Sequence, residues 1–66
     1  MELYIIDVVD NKNMQRALAI MLPDDYSEQI LREITITNAS KMCGGYKNVK
    51  RARLIQDGHK LVLHGK

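Results

Sequence analysis

The chain has 66 residues, ten Lys and Arg against eight Asp and Glu, and a single cysteine. That length holds one domain, 1–66, because either half would be too small to enclose a core. One cysteine excludes a disulfide framework, and no stretch reaches the roughly 20 apolar residues of a membrane span.

The N-terminus, M-E-L-Y-I-I-D-V-V-D, carries acids where a signal peptide has lysines. With the lone thiol this predicts a cytoplasmic protein, or one carried into a host cytoplasm. A domain this short buries only about 60% of its unfolded surface, so a homodimer is expected to supply further burial. Phe and Trp are absent and there are four Met, which predicts an aliphatic core with Met as filler.

The net charge of +2 conceals an asymmetry. Residues 1–40 hold three cations against seven acids, and residues 41–66 hold seven cations against Asp57 alone. Such segregation predicts an interaction surface, or two halves or two copies meeting head to tail.

In chain order, L-Y-I-I-D-V-V (3–9) is β-branched and bounded by D-N-K-N, which predicts a strand. Apolar on both faces, it is expected in the middle of a sheet. M-Q-R-A-L-A-I-M-L (14–22) admits two readings. Met14, Ala17, Leu18, Met21 and Leu22 fit a helical stripe with Asn13 as cap, whereas a strand completes a hairpin across Asp10–Asn13. The strand is preferred, because Ile20 falls off the helical stripe.

Pro23 ends that segment, and P-D-D-Y-S-E-Q-I-L-R-E-I predicts a helix capped by Asp24 or Asp25, with Glu28 completing a capping box. Ile30, Leu31 and Ile34 form its expected buried stripe. The helix ends either at the β-branched T-I-T (35–37) or at a last turn N-A-S-K-M-C capped by Gly44-Gly45. Asp57-Gly58 then predicts a C-terminal hairpin. The fold class is α+β: a small antiparallel sheet, β-β-α-β-β or β-α-α-β-β, with a helix packed on one face.

A two-residue loop at Asp57-Gly58 pairs Gln56 with His59 and, continuing outward, Ala52 with Leu63 and Arg51 with His64. Opposed residues share a face. Ala52, Leu54, Leu61 and Leu63 then form a core strip. Arg51, Arg53, Lys60 and His64 face the other way, with Val49, Ile55 and Val62 between them.

That basic face fits a phosphate backbone, and a two-stranded ribbon fits a major groove. It is also what the solvated face of an ordinary amphipathic hairpin looks like. Only Tyr46 lies beside the basic run, so backbone-dominated contact with duplex is expected rather than stacking on single strands.

Other chemistry is poorly supported. His59 and His64 point to opposite faces of one strand and cannot share a metal from there. Cys43 lies at a helix C-terminus, which raises a thiol's pKa. Asp24, Asp25 and Glu28 are explained by helix capping, and Gly44-Gly45 is too short for a phosphate loop.

The sequence therefore predicts a non-enzymatic nucleic-acid-associated module without a cofactor. It contacts duplex non-specifically through Lys50, Arg51, Arg53, Lys60 and His64. The alternative is a small phage or mobile-element accessory factor or inhibitor that meets an acidic protein surface, using this face or an exposed strand edge.

Overall fold

The computed structural model describes residues 1–56 in full and the backbone of residues 59–65. It is an α+β fold in which an antiparallel sheet carries one helix on one face. β1 (Glu2–Asp10), β2 (Gln15–Leu22), α1 (Glu28–Cys43), a 3-10 turn (Tyr46–Asn48), β3 (Val49–Gln56) and β4 (His59–Gly65) follow one another, with sheet order β2-β1-β3-β4. The Asp57-Gly58 turn and the faces expected for the side chains of Lys60, Leu61, Val62, Leu63 and His64 lie outside the described residues.

The 14–22 segment is a strand despite its helical periodicity. The reason lies in the loop before it, where Asn11–Asn13 close a three-residue hairpin. The Asn13 N–H donates to Asp10 O at 2.9 Å and the Asp10 N–H to Met14 O at 3.0 Å. Asn13 sits at φ 63°, a left-handed conformation that asparagine tolerates better than most residues. The Asp10 carboxylate accepts the Lys12 and Met14 N–H groups, leaving little freedom in the turn. β2 then pairs with β1 over eight uninterrupted positions, from Val9↔Gln15 to Glu2↔Leu22.

α1 begins two or three residues later than the acids suggest. Ser27 is its N-cap, its Oγ accepting the Ile30 N–H at 3.2 Å, and Asp24 and Asp25 lie in the preceding turn. Glu28 is the first helical residue and pairs with Arg32, so the expected capping box does not form.

The helix continues through T-I-T because Thr35 satisfies its hydroxyl on Leu31 O at 2.8 Å and is fully buried. It ends at Cys43, with Gly44 at φ 78° and its N–H on Ser40 O, a conformation in which a side chain is strained. The buried stripe is Leu31, Ile34, Thr35, Ala39 and Met42, at helical spacing. Ile30, expected in that stripe, is 42% exposed.

α1 packs over β1 and β3 and toward β4. Beneath it Tyr4, Ile6, Val8, Ala52 and Leu54 are buried. Tyr4 thus joins the aliphatic core, while Met1, Met14 and Met21 stay exposed and only Met42 packs against it.

Val49 departs from its expected place among the basic residues and is buried, 1% exposed. Val9 pairs with Arg51 but Asp10 with Val49, so Lys50 is an extra residue at a β-bulge. The bulge reverses the alternation and turns Val49 under the helix.

A second register step, between Ala52 and Arg53, sets Ala52 opposite His64 and Arg51 opposite Gly65. A regular two-residue hairpin would place Leu63 and His64 there. The expected pairings of Ala52 with Leu63 and of Arg51 with His64 are therefore not formed.

Candidate functional site

The strand and helix directions gather several loops at one end of the molecule. The β1–β2 loop, the C-terminus of α1, the 3-10 turn and the start of β3 all arrive there. Hydrogen bonds tie them into one unit. Asn11 donates its N–H to Asn48 O at 3.0 Å and its Nδ2 to Lys47 O at 2.9 Å. Asn48 Nδ2 donates to Cys43 O at 3.2 Å, and Lys50 Nζ donates to Asn13 Oδ1.

These elements bring Lys12, Arg16, Lys41, Lys47, Lys50 and Arg51 to this end, all exposed. Among the described residues, the acid at this end is Asp10, which is buried and committed to its loop. Its carboxyl pKa is held below the ordinary value, chiefly by the Met14 N–H, with burial opposing and the Lys12 N–H and Arg16 reinforcing. Arg16 reaches Asp10 Oδ2 at 3.7 Å. The opposite end collects Glu2, Asp24, Asp25 and Glu28, so the charge asymmetry becomes a basic and an acidic pole.

A cleft of about 540 Å³ opens at the basic pole, lined by Asp10, Asn11, Lys12, Met14, Arg16, Cys43 and Asn48. The Cys43 thiol has its pKa pushed up by burial and by the charge of Asp10, with Arg16 opposing. A raised pKa leaves little thiolate, the reactive form. Among the described residues no group of three or more His, Cys, Asp or Glu converges as metal ligands. Among them, too, no helix is long and apolar enough to cross a membrane.

The residues singled out from sequence are separated by this geometry. Lys50 and Arg51 stand at the basic pole, Lys50 leaning on Asn13. Arg53 lies further along β3 on the sheet face away from α1, with Nη2 2.9 Å from Asp7 Oδ2 and its side chain 22% exposed. Its charge is thereby offset. Lys60 is paired with Ile55, toward the acidic end, whereas the backbone of His64 lies beside Ala52 near the basic one.

Lys12, Lys41 and Lys47 are members of the pole that the hairpin pattern does not reveal. Their signal is topological: a hairpin loop, a helix end and a 3-10 turn meet only once strand order is known. The chain matches no protein-family model, no curated protein and no solved structure.

Proposed function

We propose that this chain is a small nucleic-acid-associated binding module that holds the phosphate backbone of duplex through its basic pole. The observation that carries this reading is the convergence of Lys12, Lys41, Lys47, Lys50 and Arg51 from separate elements, with the local acid buried and engaged. Cations held on a hydrogen-bonded scaffold keep their spacing, which suits repeated phosphate contacts. Lys60 and His64, contacts expected from the sequence, belong to β4, whose side chains lie outside the described residues. Arg53 contributes by positioning β3, since its guanidinium is spent on Asp7. Tyr46, 55% exposed beside Lys47, is one aromatic among several cations, which supports backbone contact rather than a stacking platform.

The test is duplex binding by the purified chain across a salt series. With three to five phosphates engaged, log K should fall with log salt at a slope of about −3 to −4.5. Lys47→Glu with Arg51→Glu should abolish binding and leave the fold intact, because both side chains are exposed. Arg32→Glu, on α1 toward the acidic end, should leave binding within about twofold. Undetectable duplex binding at about 50 mM salt, where counterion release favours association, removes this reading and makes the pole a docking surface for an acidic protein.

A further inference from the structure

We propose that two copies of the chain associate through the outer edge of β2, running antiparallel about a two-fold axis at Leu18. β2 lies at the end of the sheet, paired with β1 alone. The Asp10 N–H bonds Met14 O, so alternate β2 residues Met14, Arg16, Leu18, Ile20 and Leu22 turn their backbone groups toward β1. Those of Gln15, Ala17, Ala19 and Met21 point away from the sheet.

Edge strands are ordinarily blunted by lysine, proline, a bulge or an inward charge. Residues 15–22 contain no Lys, Pro, Asp or Glu, and their register with β1 has no bulge. Gln15 and Arg16 reach back to Asp7 and Asp10 and Leu22 is buried, while the rest of the strand is apolar and open, with Leu18 37% and Met21 51% exposed. Its backbone is an unused template for a further strand.

Two features select a second copy as that strand. The first is self-complementarity. In the register that sets Leu18 opposite its own copy, Ala17 meets Ala19, Gln15 meets Met21 and Arg16 meets Ile20. Every outward backbone group finds a partner, and no like charges are opposed. The second is charge. An antiparallel arrangement lays the basic end of one copy, with Lys12 and Arg16, beside the acidic end of the other, with Asp24 and Asp25. The pairing is isologous and consumes both β2 edges, which closes this edge to further addition.

This inference stands apart from the nucleic-acid reading, because it is measured on protein alone. Sedimentation should give twice the 7.6 kDa chain mass at high micromolar concentration, with dissociation on dilution. Amide exchange at Ala17 and Ala19 should slow at least tenfold between the dilute and the concentrated sample, while Leu18 and Ile20 change little.

Leu18→Lys opposes two lysines across the axis and should give a folded monomer. Asp24→Lys with Asp25→Lys should weaken association about tenfold at low salt, and adding Lys12→Glu should recover part of it. A monomer at all concentrations overturns the proposal. So does a dimer that leaves the Ala17 and Ala19 amides fast-exchanging or that persists in Leu18→Lys, since it would use another surface, such as the face opposite α1.

Discussion

On one face of one sheet, β1 and β2 carry the same alternation, yet β1 is buried along its length whereas β2 is buried only toward Ile20 and Leu22. Ile6 and Val8 are fully buried, while their direct partners Leu18 and Arg16 are exposed. The difference is the helix, which lies over β1 and β3, so apolar residues of similar size are core on one strand and margin on the next. Hydrophobic pattern determines which face a side chain takes, and coverage determines whether burial stabilises it. The largest expected effect tests that contrast directly.

Ile6→Ala should cost about 2–5 kcal/mol, the range for truncating a well-packed aliphatic side chain. For a chain this small that approaches the whole stability, about 3–10 kcal/mol. Ile6→Val, at about 0.5–1.5 kcal/mol, keeps the measurement within range. Leu18→Ala, measured in dilute solution where the chain is monomeric, should cost under about 1 kcal/mol, since much of that side chain is already in water. Equal costs in urea unfolding would mean that coverage by α1 does not separate the two strands.

The face away from the helix gives a second contrast. Arg53 and Asp7 pair there at 2.9 Å, with Gln15 Nε2 a further donor to Asp7 at 3.3 Å, and Arg53 Nε is buried without a partner among the described residues. Both side chains are mostly shielded although no helix covers them. Breaking the pair should therefore cost more than an exposed ion pair and less than a fully buried one. For Asp7→Ala we expect about 1–2 kcal/mol. Replacing both members by aliphatic residues should recover most of it, because no unpaired charge is then left behind. A double variant as unstable as the single one would show that the pair itself holds β1 to β3.

These contrasts also mark what sequence can reveal. The composition of 3–9 fixes β1, and Pro23 with Gly44 brackets the stretch that holds α1, because such signals act within a few residues. The face of Val49 is not legible in the same way. One inserted residue, Lys50, reverses the alternation, and a bulge leaves no mark in composition.

The cap is similar. Asp24, Asp25 and Ser27 are all competent, and Ser27 wins because the turn after Pro23 uses the residues before it. Thr35 looks like a helix breaker until its hydroxyl is seen on Leu31 O. The basic pole is the least visible feature, since Lys12, Lys41 and Lys50 are distant in sequence and meet only through strand order. Lys50 and Arg51 could be found from the charge run; which of its neighbours were spoken for could not.

The smallest effect falls on Asp10, at the boundary between the covered centre and the open margin. Its side chain organises the β1–β2 loop, and its pKa is lowered mainly by the Met14 N–H. A carboxyl whose folded pKa lies below its unfolded value stabilises the fold above that unfolded value, near 3.9, and loses the contribution as pH falls through the folded pKa. The wild type should therefore lose melting temperature as pH drops below about 4, by an amount that Asp10→Asn makes smaller.

The loss should also be local at first. Protonation weakens acceptance from the Lys12 and Met14 N–H groups, so their amides should lose protection, relative to the intrinsic exchange rate at each pH, before that of Val8, which lies under α1. Protection at Val8 falling together with that at Met14 would mean that the margin and the centre unfold as one unit. Earlier loss at Met14 alone would mean that the hairpin loop opens while the helix-covered core stays closed.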